Sequence, residues 1–156
     1  MKLGKVVGIA GVVVLSLGPV SQSSGQLGAV MGNMGNMGNL FQMAGGMDGM
    51  TKLAGNFLKS SSSDSRLSGL MGNADASSVT PKLADQMCSM LGGGCKPPLS
   101  DQQISAGASK LDADQSKALT ENFGTALGGM TSNPVVKEGL SKAIAPKLGG
   151  IVGALL

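Results

Sequence analysis

Residues 100–115 read SDQQISAGASKLDADQ and contain two helix starts in close succession. Ser100 and Gln103 form a capping box, in which the serine hydroxyl and the glutamine amide satisfy exposed backbone groups at the helix N-terminus. Asp112 to Gln115 predicts the start of the next helix, because Asp is a favoured N-cap residue. Apolar residues follow each start at steps of three and four, which gives each helix one buried face. This stretch predicts a domain built from short amphipathic helices.

The same pattern continues on both sides of this stretch. Thr80 and Pro81 predict a helix start, and Gly92 predicts the end of that helix. Asn133 and Pro134 predict another start. No segment alternates convincingly at period two, as a half-buried strand would. The sequence therefore predicts an all-α chain of about four or five short helices.

The N-terminus has the layout of a secretory signal peptide. Lys2 and Lys5 precede the uncharged run VVGIAGVVVLSLGPV, and the small polar stretch SQSSGQ follows it. The run is shorter than the roughly 20 residues of a membrane span, and glycines weaken it further as a helix. We expect residues 1–25 to be a signal peptide cleaved after Ser23 or Gly25, and the mature chain to be exported, to the periplasm or outside the cell if the source is bacterial. An uncleaved N-terminal anchor is the alternative.

The charge and the aromatic content exclude one class of function and limit the core. The chain has 12 basic and 9 acidic side chains, so loss of the two N-terminal lysines lowers the formal net charge from +3 to about +1. No basic cluster is interleaved with aromatic residues, so nucleic-acid binding is not expected. The chain has three Phe and no Trp or Tyr, so its core is predicted to consist of aliphatic residues and methionine.

The absence of histidine argues against catalysis. The chain contains none, which removes the commonest general base, the usual Zn and Cu(II) ligand, and every Ser-His or Cys-His nucleophile. Asp101, Asp112 and Asp114 stand near predicted helix starts, where capping and the helix dipole explain them. The sequence predicts a protein that is not an enzyme.

The two cysteines lie in CSMLGGGC, as Cys88 and Cys95. In an exported chain such a pair predicts a structural disulfide, and a ring this small stabilises a fold by roughly 2 to 3 kcal/mol. The spacing is not the C-x-x-C of redox proteins. Met87, Cys88 and Met90 would form a soft ligand group only if the disulfide were reduced.

Methionine and glycine dominate the segment before these helices. Residues 31–39 read MGNMGNMGN, which spaces Met31, Met34 and Met37 by three. Apolar residues continue at helical spacing, so residues 26–58 are predicted to form a marginal amphipathic helix that is ordered by contact with a protein, a second copy or a membrane. The predicted contact residues are Met31, Met34, Met37, Phe41, Met47, Met50 and Phe57.

A soft-metal site is the alternative interpretation of the same methionines. Thioether sulfur suits Cu(I), and the M-x-x-M spacing of Met31, Met34 and Met37 could place two or three sulfurs around one ion. Leu40 and Phe41 share the spacing and cannot bind metal, which favours a packing or partner-facing stripe. Without Cu(I), no cofactor is expected.

These patterns predict four parts of the chain and one leading function. The parts are a signal peptide (1–25), a Gly/Met-rich amphipathic segment (26–58), a Ser-rich linker (59–78) with room for one helical turn around Leu67 to Met71, and a small disulfide-pinned helical domain (79–156). The leading interpretation is an exported, non-enzymatic helical protein whose Met/Gly-rich apolar surface contacts a protein partner or a membrane, with self-association possible. The alternative is a periplasmic Cu(I)-binding protein.

Overall fold

The computed structural model describes residues 37–156, and in this region the chain forms helices and no strands. The predicted all-α fold is confirmed, with seven α-helices in the described region instead of four or five. Among the described residues, no helix is long and apolar enough to cross a membrane. The predicted signal peptide lies outside this region. The helices are α1 (Met37–Met43), α2 (Gly46–Ser62), α3 (Ser68–Met71), α4 (Ala76–Met90), α5 (Asp101–Ala108), α6 (Ala113–Met130) and α7 (Pro134–Leu155), with a 3-10 turn at Ser65–Leu67.

Side-chain caps start α5, α6 and α7 where the sequence predicts them. The backbone N–H of Ser100 donates to Oε1 of the Gln103 side chain at 2.9 Å, and the backbone N–H of Gln103 donates to Oγ of Ser100 at 3.3 Å. Asp112 and Gln115 repeat this reciprocal arrangement at 3.1 and 2.7 Å, so the quoted stretch contains two capping boxes. The side chain of Asn133 also caps α7.

The predicted start of α4 is wrong by about one turn. The helix begins at Ala76, because the carboxylate of Asp75 accepts a hydrogen bond from the Ser77 amide at 3.0 Å and provides an earlier cap. Pro81 therefore lies inside α4 instead of at its first position. Its missing amide leaves the carbonyl of Ser77 without the usual helical donor, a cost that the burial of the rest of α4 offsets.

The predicted linker, residues 59–78, is largely helical. α2 continues to Ser62, the 3-10 turn and α3 follow, and α4 begins at Ala76. Leu67 is fully buried and Met71 is 6% exposed. The linker prediction rests on the Ser-, Gly- and Asn-rich composition of these residues. Burial of Leu67 and Met71 overrides the weak helix preference of such a composition.

An ionic cluster joins the chain after α2 to α6. Nη2 of Arg66 lies 2.8 Å from Oδ2 of Asp64 and 2.8 Å from Oε2 of Glu121. Nδ2 of Asn122 donates to Oδ2 of Asp64 at 3.0 Å. The hydrogen bonds from Arg66 hold the pKa of the Asp64 carboxyl well below its usual range.

All three phenylalanines of the chain lie in the core, and two of them pack against each other. The rings of Phe57 and Phe123 pack edge to face, with centroids 6.0 Å apart and an interplanar angle of 78°. Aliphatic and methionine side chains surround this pair, as the composition predicts. The largest fully buried side chains are Phe57, Phe123, Met50, Leu53, Leu67, Leu83, Met87, Leu91, Leu119, Leu140, Ile144 and Leu148.

Glycines allow α5 and α7 to approach each other backbone to backbone. A Cβ atom on Gly150 would overlap the carbonyl oxygen of Ile104, and a Cβ atom on Gly153 would overlap that of Gly107. All three glycines are buried. No side chain fits at these positions of α7. Glycine is required there because the opposing backbone leaves no room for a Cβ atom, and not because a turn needs its backbone conformation.

The contact between α5 and α7 predicts opposite effects for two glycine-to-alanine changes. Gly153→Ala should lower the free energy of unfolding by about 1 to 3 kcal/mol, because the new methyl group must separate two backbones. Gly124→Ala in α6, which has no atom within 4 Å of the new Cβ, should raise it by about 0.5 to 1 kcal/mol through helix propensity. Denaturant unfolding measures both, and equal stability of Gly153→Ala and the wild type would contradict the close approach.

The ionic cluster predicts a loss of stability in acid. The pKa of Asp64 is lower in the folded chain than in the unfolded chain, so its carboxylate stabilises the fold at neutral pH. This contribution should be lost as the pH falls from about 5 to 2. In denaturant unfolding measured from pH 7 down to pH 2, Asp64→Asn should be less stable than the wild type at pH 7 and approach its stability in acid. Arg66→Gln should also make the free energy of unfolding less dependent on pH in acid. If the free energy of unfolding of Asp64→Asn and of the wild type changed equally with pH, the stabilising role of the Asp64 carboxylate would be refuted.

Candidate functional site

Two glycines divide the predicted Met-rich helix into α1 and α2. Gly45 and Gly46 have φ values of +93° and +63°, a conformation that other residues rarely adopt. A Cβ atom on Gly49 would overlap the carbonyl oxygen of Ala44, so α1 folds closely against the start of α2. The continuous helical stripe predicted through residues 26–58 is therefore interrupted at residues 44 and 45, and the side chains on either side face different surroundings.

A second glycine turn follows α4 and brings the cysteines together. The Gly93 amide donates to the carbonyl of Cys88 at 2.9 Å, and Gly92 has a φ of +69°, as in a Schellman motif. Gly94 also has a positive φ, +79°. The turn leaves the Cα atoms of Cys88 and Cys95 5.7 Å apart, with their Sγ atoms at disulfide bonding distance, as predicted.

α1 packs against both this turn and α7. A Cβ atom on Gly93 would lie 2.6 Å from Sγ of Cys88 and 3.0 Å from Cε1 of Phe41, so the Phe41 ring and the disulfide meet over this glycine. On the other side, a Cβ atom on Gly139 of α7 would lie 2.8 Å from Cδ2 of Leu40. Two adjacent side chains of α1 thus fix its position.

A third sulfur reaches the disulfide from α2. Sδ of Met47 lies 3.9 Å from Sγ of Cys95, and we call Met47, Cys88 and Cys95 the sulfur cluster. Cys88 is fully buried, Cys95 is half-buried and Met47 is 36% exposed, so the cluster extends from the core to the surface. The chain that leaves Cys95 is held by buried Gln86, whose Oε1 accepts a hydrogen bond from the Leu99 amide at 3.1 Å.

Three of the predicted contact residues lie in the protein's own core. Phe41 is 7% exposed, Phe57 is 1% exposed and Met50 is fully buried. Their helical spacing reflects packing within this chain, so in this conformation their side chains do not form a surface for a partner.

The remaining methionines of this segment differ in exposure. Met37 is half-buried and Met47 is exposed, while Met31 and Met34 lie outside the described residues. Met43, which was not among the predicted contact residues, is 54% exposed at the end of α1. The contact residues were predicted for one continuous helix. Because the helix is broken at residues 44 and 45, that helical spacing could not identify Met43 as exposed.

The sulfur cluster also differs from the soft group predicted from adjacent residues. Met87 is 1% exposed within the core, and the sulfur in contact with the cysteine pair is that of Met47. Met47 and Cys95 are 48 residues apart in the chain, so no spacing rule could pair them. Within residues 37–156, no three His, Cys, Asp or Glu side chains are grouped as metal ligands. The cluster combines two cysteines with a thioether.

The packing at the disulfide turn predicts that Gly93 tolerates no side chain. Gly93→Ala should lower the free energy of unfolding by about 1 to 3 kcal/mol, because its methyl group must displace the Phe41 ring or the disulfide. Gly55→Ala in α2 is the control, since no atom lies within 4 Å of its new Cβ. Thermal unfolding under oxidising conditions compares the two, and a Gly93→Ala protein as stable as the control would disprove the contact.

Comparison with models of known protein families, with curated proteins and with solved structures found no match to the chain.

Proposed function

We propose that this chain is an exported, non-enzymatic helical protein that contacts a protein partner or a membrane through its exposed methionines, Met43 and Met47. The observation that carries the proposal is the exposure of these two side chains, 54% and 36%, whereas the other large apolar residues between residues 37 and 58 are buried or half-buried. Methionine is flexible and polarisable, so it adapts to varied apolar partners.

The surroundings of the exposed methionines support a contact role. α1, which carries Met43, contains no acidic or basic residue, so an apolar partner could contact this helix without burying one of its charges. Met47 lies beside exposed Asp48 in the first turn of α2. The packing of Leu40 and Phe41 holds the helix in place, which lowers the entropy lost when a partner binds. A fixed helix with flexible exposed side chains suits contact with more than one shape of partner.

The proposal of export and the exclusion of catalysis rest on the sequence. Lys2, Lys5 and the uncharged run after them favour secretion, and a cysteine pair at disulfide distance is typical of exported proteins. The chain has no histidine to act as a general base. A binding protein is therefore favoured over an enzyme.

Two double variants test the contact role. A buried methionine contributes about 1.5 to 3 kcal/mol, so Met43→Gln with Met47→Gln should weaken binding by at least about tenfold. Met43→Leu with Met47→Leu keeps the apolar area and should bind nearly as well as the wild type. Binding is measured by flotation with phosphatidylethanolamine–phosphatidylglycerol vesicles, by sedimentation for self-association, and by photo-cross-linking from position 43 in secreting cells.

Val135 provides the matched control. It is 66% exposed and lies in the first turn of α7, outside the Met-rich segment, so Val135→Gln removes an exposed apolar side chain elsewhere. This variant should bind like the wild type. If the glutamine double variant also binds like the wild type, the contact role is refuted. It is likewise refuted if the wild type does not bind vesicles, does not self-associate and cross-links to no protein.

Cu(I) binding by Met31, Met34 and Met37 stays a separate prediction. Changing the three residues to leucine preserves apolar packing and removes sulfur. Loss of Cu(I) affinity from the disulfide-intact protein, with unchanged helix content, would favour that function over the contact role.

A further inference from the structure

We propose that the sulfur cluster, Met47, Cys88 and Cys95, binds one Cu(I) ion when the disulfide is reduced. Two cysteine thiolates and one methionine thioether would be the ligands. This site is distinct from Met31, Met34 and Met37, and it does not depend on the contact role of the exposed methionines.

The distance between α2 and the disulfide fits a three-coordinate ion. Metal–sulfur bonds are about 2.3 Å long, so two sulfurs at about 120° around one ion lie about 4 Å apart. Sδ of Met47 already lies 3.9 Å from Sγ of Cys95. Opening of the disulfide must then separate Cys88 from Cys95 by a similar distance, and the Cα separation of 5.7 Å allows this by side-chain rotation.

The ligand types select the metal. Thiolate and thioether sulfur are soft ligands that favour Cu(I), and Mg²⁺ or Ca²⁺ would find no oxygen ligand within this set. Binding of Cu(I) by two thiols releases two protons, so the product carries one net negative charge. The partial exposure of Met47 and Cys95 provides a route for the ion to enter.

The positions of the three sulfurs rest on contacts that persist without the disulfide bond. The turn at Gly45 and Gly46 directs the start of α2, and Phe41 packs over Gly93. The Schellman turn after α4 is held by backbone hydrogen bonds, which do not require the sulfur–sulfur bond. Reduction therefore frees two thiols within an arrangement that other interactions maintain.

A dithiol reductant converts the disulfide to the ligand form. A thiolate of the reductant attacks Sγ of Cys95, since Cys88 is fully buried, and the protein disulfide breaks with release of the Cys88 thiolate. The second thiol of the reductant then attacks its own sulfur in the mixed disulfide and releases Cys95. The reductant becomes a disulfide, and the protein gains two electrons and two protons as two thiols.

A Cu(I) competition titration tests the site. The full chain is reduced with a dithiol, freed of reductant without oxygen, and titrated with Cu(I) against a chromophoric chelator. We expect one Cu(I) per reduced chain, three sulfur ligands by X-ray absorption, and no binding at the cluster in the disulfide-intact protein. Circular dichroism of the reduced protein should show unchanged helix content, because loss of the helices on reduction would remove Met47 from the site and overturn the proposal.

Methionine-to-leucine variants assign the third ligand. Met47→Leu should weaken Cu(I) binding by at least about tenfold, because even a partner of a metal ligand contributes 10- to 100-fold to affinity. Met43→Leu is the matched control, since Met43 is the other exposed methionine within residues 37–156, and this variant should bind like the wild type. The joint change of Met31, Met34 and Met37 to leucine should also leave this binding unchanged.

Several results of the titrations would also overturn the proposal. They are failure of the reduced wild type to hold Cu(I), equal affinities of Met47→Leu and the wild type, and binding that is lost on changing Met31, Met34 and Met37 to leucine. Changing Cys88 and Cys95 to serine should abolish binding, and retention of binding in that variant would also exclude the sulfur cluster.

Discussion

The backbone contact between α5 and α7 is the constraint on which the described fold depends. α7 is the longest helix of this region and also packs against α1, α4 and α6, so its position relative to α5 orients the others. Gly107, Gly150 and Gly153 make that position possible, because a Cβ atom at any of them would overlap the opposing helix. Glycine elsewhere in a helix is a cost, but here it permits close packing that larger residues would prevent.

The core compensates for its small aromatic content in two ways. Phe57 and Phe123 pair at its centre, and leucine, isoleucine and methionine fill the space around them. The disulfide adds stability by restricting the unfolded chain, although the ring it closes is short. Arg66 and Asp64 contribute at the surface, where solvent weakens ionic interactions. Burial of apolar area remains the main source of stability.

One turn determines which side chains of the Met-rich segment are buried and which are exposed. Because Gly45 and Gly46 break the helix, Phe41 packs against the disulfide turn, whereas Met43 remains exposed and Met47 reaches Cys95. The proposed contact role and the proposed Cu(I) site both use Met47, but they depend on different properties of methionine. Contact needs its flexible apolar area, whereas metal binding needs its sulfur. Leucine substitution separates the two because it retains the first property and removes the second.

The local features of this protein can be predicted from its sequence alone. Helical spacing predicts the fold class, the caps at Ser100, Asp112 and Asn133 stand where their residue types place them, and the disulfide partners are close in the chain. Each of these depends on interactions within a few residues. The tertiary structure was needed to show which apolar residues are buried, that most of residues 59–78 is helical, and that Met47 meets Cys95. Those outcomes depend on which helices pack together, and periodicity along one helix carries no information about its neighbour.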